Sequence, residues 1–222
     1  METYWLCFRL RSDATFGRGE GMAGVVDQEV EHDTYGLPYL RGRTLKGLLN
    51  EECANILYAL RQPGRDMTHW TEAAQRLFGG PGSKIKNDAR LRVGAAQLPL
   101  DVRRAMQSSR VPAADVLESL TTIRQQTAVD ETTGAPAEGT LRAMRVVLRQ
   151  TPFEAPLTLL DDDPSADLPL LAACVMALRR AGVGRNRGRG HLQATLHLDE
   201  AGRPGADVTR AEFERFKQEV GA

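Results

Sequence analysis

Residues 26–33, VDQEVEHD, place a carboxylate at every second position: Asp27, Glu29, Glu31 and Asp33. In an extended chain these four share one face, with Val26, Gln28, Val30 and His32 on the other. Two chemistries suit such a row, binding of a hard cation and proton transfer. A third use is passive, a solvated edge whose charges deter aggregation. Four like charges this close repel an anionic substrate unless a metal or an arginine partner offsets them.

A second cluster follows at once, LPYLRGRTLKG over 37–47. Pro38 and Gly42 shape a turn, and Thr44 is the expected N-cap of a helix. A helix N-terminus offers free N–H groups and partial positive charge, so it can seat a phosphate, with Arg41, Arg43 and Lys46 adding charge. Gly47 permits close approach of another backbone. The plainer alternative is a capped amphipathic helix with a solvated first turn. A third cluster, GVGRNRGRG over 182–190, alternates glycines with Arg185, Arg187 and Arg189. Such a loop can bring backbone N–H groups and guanidinium forks to a phosphodiester, or can simply be a flexible basic loop. It carries neither the P-loop nor the dinucleotide-binding signature. His32, His69, His191 and His197 lie at no metal-ligand spacing, and Cys7, Cys53 and Cys174 form no CxxC pair, which fits a reducing compartment.

The elements that must position these clusters are legible from periodicity. Residues 3–10 alternate Tyr4, Leu6, Phe8 and Leu10 against polar neighbours, a strand with one apolar face. Leu45, Leu48, Leu49, Ile56, Leu57 and Leu60 define a helix over about 44–61, and a short helix is expected near 71–78. Strands are expected at 89–96, at 141–148, at 155–160 and at 191–198, with an apolar helix over 168–181. Residues 121–148 read as an extended, hairpin-like arm around the turn DETTG. The last helix starts at Thr209, with Glu212 completing a capping box. The order predicts an α+β, ferredoxin-like (RRM-like) β-α-β-β-α-β core, a single domain over 1–222 with an arm inserted at about 99–140.

The chain has 222 residues, and its 29 Lys+Arg balance 29 Asp+Glu. With no long apolar run and no export signal, the reading is a cytoplasmic protein without a membrane span. Neutrality excludes a uniformly basic coat but not nucleic acid, because the charge is segregated. Residues 179–190 hold five arginines and no acid, and 161–167 hold four aspartates and no base. Of the 29 cations, 25 are Arg, the residue suited to phosphate forks, although a GC-rich genome produces the same bias.

The three clusters, in this order, resemble the RAMP superfamily of CRISPR effector subunits. YGLPYLRGRTLKGLL is similar to its Pro–Gly–Leu-Lys-Gly signature, and VGRNRGRGHLQATL to its C-terminal glycine-rich loop and strand. LFGGPGSKIKNDARLRVGAAQL and TTIRQQTAVDETTGAPAEGTLRAMRVV resemble segments of type III backbone subunits, the Cas-seven group. Arg41, Arg43 and Thr44 stand where that family usually has Pro and two serines. The resemblance implies a subunit that polymerises along a guide RNA (crRNA) and cleaves paired target RNA in antiviral defence. It makes Asp27 the catalytic carboxylate and ligand of Mg²⁺ or another divalent cation, with Asp33 second. Arg41, Gly42, Arg43, Lys46, Gly184, Arg185, Arg187, Gly188 and Arg189 would bind RNA, and the arm, with Arg124 and Thr127, would meet the target strand. The implied partners are guide RNA, target RNA and other effector subunits, including copies of the chain or paralogues. Three alternatives stay open: a non-catalytic backbone or capping subunit, a metal-independent guide-processing ribonuclease using His32, and an unrelated ferredoxin-like enzyme with an acidic metal site.

Overall fold

The computed structural model describes residues 1–21, 26–61, 66–80, 88–160, 163–200 and 202–221. Its first strand, β1 (Glu2–Leu10), buries Tyr4, Leu6, Phe8 and Leu10 and turns Thr3, Trp5, Cys7 and Arg9 the other way. β1 is an inner strand of the sheet. It pairs antiparallel with β5 (Pro152–Leu159) on one side and β6 (Leu192–His197) on the other, and β2 (Leu91–Val93) extends the sheet beyond β5. The order β2-β5-β1-β6, with α1 (Gly42–Leu60) between the first two strands and α5 (Leu168–Ala177) between the last two, is the ferredoxin-like arrangement.

Both helices cover the apolar face of the sheet. α5 is buried from Leu168 to Val175, since it lies between the sheet, α1 and the C-terminal α6 (Thr209–Gly221). α2 (Thr68–Phe78) closes the layer, with Trp70 set edge-on to Phe216 of α6 at 4.8 Å. Its Arg76 forks onto the buried Asp167 at the head of α5, 2.7 Å at the closest. No helix among the described residues is long and apolar enough to cross a membrane.

The long insertion between β2 and β5 is only partly an arm. It begins with two helices, α3 (Leu100–Ser108) and α4 (Ala113–Leu120), and then forms a second sheet of β3 (Thr121–Gln126) and β4 (Arg142–Val147). The hairpin tip is closed by Asp130, whose carboxylate accepts the N–H groups of Thr132 and Thr133.

Two boundaries and one cap depart from the expectations. α1 starts at Gly42, not after a Thr44 cap, because the chain runs against β2: a Cβ at Gly42 would lie 2.3 Å from the Val93 carbonyl oxygen. α5 stops at Ala177 instead of 181, since Arg180 turns extended to bridge His191. The Thr209 hydroxyl is not a helix cap. It accepts from Leu196 N–H at 2.6 Å, pinning α6 to β6, while Asp207 takes the Thr209 N–H.

Candidate nucleic-acid interface

Residues 26–33 run as an extended ribbon between the loop after β1 and the start of β4, and a turn at 34–36 folds 37–40 back along them; Gln28 bridges Met144, Val30 bridges Gly17 and His32 bridges Pro38. With neighbours on both sides, the ribbon does not keep its carboxylates on one open face. Glu29 and Glu31 are buried, and each is neutralised by an arginine. Arg145 of β4 lies 2.8 Å from Glu29 and reaches Thr121 as well. Arg41 pairs with Glu31, which also accepts the Tyr39 hydroxyl at 2.9 Å. Asp33 is spent on a turn, accepting the N–H groups of Tyr35 and Leu37. His32 is half-buried, with Nδ1 3.0 Å from the Asp33 carbonyl. The four-carboxylate row expected from alternation is therefore two structural ion pairs, one turn and one exposed acid, Asp27.

Asp27 sits where the ribbon meets β4. Its N–H donates to the Ala143 carbonyl, and its Oδ2 accepts the Ala143 N–H at 2.7 Å. The other carboxylate oxygen has no hydrogen bond among the described residues. No group of three or more His, Cys, Asp or Glu among them is placed to hold a metal ion.

The Gly182–Gly190 loop forms the facing wall. Gly182, Gly184, Gly188 and Gly190 all have φ between 66° and 95°. Gly190 is held by contact as well, since a Cβ there would lie 1.8 Å from the Ala181 carbonyl oxygen. Val183 N–H bonds Thr15, anchoring the loop beside the ribbon. Arg185 forks onto Glu51 of α1 at 2.8 and 3.0 Å, and Arg189 contacts Met144. Arg187 is exposed at the loop crest.

Loop, ribbon and β4 border a cavity of about 690 Å³ that brings Asp27 together with Gln28, Gln126, Arg142, the stretch from Gly182 to Arg187, and Arg189. A second hollow of about 320 Å³ shares Gly182, Val183 and Arg185 and extends to Arg41 and Thr44 at the head of α1. The helix N-terminus, the arginine loop and Asp27 thus lie along one path. Arg43 is exposed on the first turn of α1, and open space surrounds Gly47 one turn on. Lys46 turns away: its ammonium donates to the Leu91 carbonyl at 2.8 Å, and burial pulls its pKa below the ordinary lysine value. Arg124 is held outside the cavity by Asp13, at 2.9 Å, while Thr127 is exposed beyond β3.

Gln28, Gln126, Arg142 and Asn186 also line the cavity, and composition and spacing did not single them out. The only sequence cue was the hairpin itself, whose register sets Gln126 opposite Arg142.

The largest hollow among these, about 880 Å³, lies on the other face of the sheet, with Cys7, Glu154, Thr195 and His197 on its floor. Burial, with Glu200 adding to it and Arg103 opposing, raises Glu154 to about 7.

A sequence model of the RAMP superfamily matches residues 8–193. The chain belongs to the RAMP superfamily. The matched span runs from β1 through the arginine loop into β6, so both walls of the cavity are RAMP sequence. Among solved structures, this RAMP chain is similar to a chain in the cryo-EM structure of the type III-B Cmr-beta bound to cognate target RNA. The TM-score is 0.64 at 10% identity, over 88% of this chain and 97% of that one. The apo state of Cmr-beta gives 0.62 at the same identity and coverage. At that identity the likeness is one of fold. No curated protein matches the chain in sequence.

Proposed function

We propose that this chain is a guide-RNA-binding backbone subunit of a type III CRISPR effector complex, and that its Asp27 cleaves target RNA paired to the guide. The observation that carries the reading is the shared cavity: one carboxylate with a free oxygen faces a glycine loop bearing Arg185, Arg187 and Arg189. Arginine forks and loop N–H groups suit phosphates, while sequence would be read by base pairing with the guide, the division of labour known for another effector class. The RNA-bound state of a fold neighbour supports RNA as the ligand. The partners are guide RNA, target RNA and other effector subunits, copies or paralogues among them, in the cytoplasm.

Asp27 accepts the proton of a ribose 2′-hydroxyl. The 2′-oxygen then attacks the adjacent phosphorus, the bond to the 5′-oxygen breaks, water protonates the departing 5′-oxygen, and a 2′,3′-cyclic phosphate and a 5′-hydroxyl result. Arginines of the loop stabilise the charge gathering on the phosphate oxygens. A Mg²⁺ would be held by the Asp27 carboxylate, since one protein carboxylate is often enough for an ion that keeps most of its water. A bound divalent cation would supply further charge stabilisation at the phosphate.

The test is target cleavage by the assembled complex carrying Asp27→Ala. Cutting is expected to vanish while guide and target stay bound. Cutting at every site as in the unsubstituted complex would overturn the assignment and leave the second reading, a non-catalytic backbone or capping subunit. That reading draws on one observation, the engagement of the other Asp27 oxygen by Ala143.

A further inference from the structure

Arg142 opens β4, one residue before Ala143, whose backbone holds Asp27 by two hydrogen bonds. Successive strand residues point to opposite faces, so Arg142 shares a face with Met144. Arg189 of the glycine loop contacts Met144 on that face. Arg124, the cross-strand partner of Met144, pairs there with Asp13, whose carbonyl accepts Gly190 N–H. This face of the hairpin therefore looks toward the arginine loop, and at its outer end Arg142 stands opposite Gln126, both lining the cavity. Arg142 is exposed and makes no side-chain hydrogen bond or ion pair among the described residues.

Arg142 and Asp27 thus line one cavity from the same strand start, carry opposite charges, and form no ion pair with each other. The loop arginines are placed differently. Arg185 is forked onto Glu51, Arg189 lies against Met144, and Arg187 stands on a separate segment. A ligand between a free carboxylate oxygen and a free guanidinium must offer a donor to one and an acceptor to the other. A ribose 2′-hydroxyl and the phosphate beside it offer both. We infer that Arg142 is a further catalytic residue. Its guanidinium holds the scissile phosphate while Asp27 takes the proton of the adjacent 2′-hydroxyl, and it stabilises the charge that gathers on the phosphate oxygens. Arg142 stays protonated throughout and moves no proton. The two hydrogen bonds to Ala143 fix acid and cation to one frame, so both are in place before the phosphate enters. This rests on the reading of Asp27 as the cleaving carboxylate.

The experiment uses assembled complexes carrying Arg142→Ala, Arg142→Lys or Asp27→Ala, with single-turnover cleavage measured at saturating target. Affinity is compared between Asp27→Ala and Asp27→Ala with Arg142→Ala, which reads binding without turnover. Cleavage by Arg142→Ala is expected to fall about 10²–10³-fold, as for loss of one donor to a developing charge. Affinity should change by less than about threefold, because base pairing with the guide holds the target. Arg142→Lys, which keeps the charge but loses the fork, should recover about tenfold of the rate. Cutting by Arg142→Ala within about threefold of the unsubstituted rate, whatever the change in affinity, overturns the inference. So does a loss of rate that Arg142→Lys leaves unrelieved, which would mark a structural role. Failure of the cleavage reading is a separate result: Asp27→Ala then still cuts.

Discussion

Asp27 and Ala143 exchange two hydrogen bonds, backbone N–H to carbonyl at 2.8 Å and backbone N–H to carboxylate oxygen at 2.7 Å. They are 116 residues apart, and the pair fixes the acid against the first residues of β4 while one oxygen stays open to the cavity. The geometry separates the position of Asp27 from its charge.

Asp27→Asn keeps an oxygen for the Ala143 N–H and removes only the basic oxygen. Cleavage of labelled target is expected to fall by about 10²–10⁴-fold, as for loss of a general base. The melting temperature should match that of the unsubstituted protein. Full activity in Asp27→Asn would show that the carboxylate takes no proton.

Arg145 and Glu29 form a closed ion pair, with the Glu29 side chain fully buried and that of Arg145 11% exposed. Removing one partner strands the other charge. Arg145→Met is expected to destabilise the fold by about 3–5 kcal/mol, and pairing it with Glu29→Gln should recover much of the loss. Urea unfolding of both variants, with unfolding slopes compared, measures this.

Glu154 has the opposite character, a carboxyl that folding makes harder to ionise, raised from 4.5 to about 7. Below 4.5 the group is protonated in both states and costs nothing. Between 4.5 and 7 the folded state holds a proton that the unfolded state releases, so its effect on stability worsens as pH rises, reaching full size above 7. Glu154→Gln should therefore melt higher than the unsubstituted protein at pH 8. The gain is expected to be on the order of 1–3 °C, kept small by partial solvation. The two should converge near pH 4.5. A constant offset across a pH series of melts would exclude the mechanism.

Arg187, exposed at the crest of the loop, is placed to meet a phosphate without first breaking an internal ion pair, whereas Arg185 is held by Glu51. Arg187→Ala should weaken RNA retention at low salt. It should also reduce the slope of log affinity against log salt by about 0.7 for each subunit contact, the value for single strands. An unchanged slope would place Arg187 away from the backbone.

Legibility differed by element. The alternation in β1 and the repeat of leucines in α1 were read correctly because local period alone decides which face is apolar. The glycines of the 182–190 loop were legible for a similar reason, since four backbone positions at positive φ tolerate little else. In the ribbon at 26–33, alternation predicts a row of like-facing acids, whereas Glu29 and Glu31 are buried. The same alternation rule applied, but a rule of period two assumes one open face, and this segment has chain on both sides.

The β-α-β-β-α-β order, the arginine loop and the carboxylates ahead of a basic helix start all follow from local pattern in the chain. Which carboxylate remains available follows from the folded arrangement. Glu29 finds Arg145 from 116 residues away, Glu31 finds Arg41, and Asp33 closes its own turn, leaving Asp27 exposed to the cavity. The physical reason is that a charge's role depends on what neutralises or hydrates it. For Glu29 that partner is brought by strand pairing across 116 residues, which no local pattern encodes.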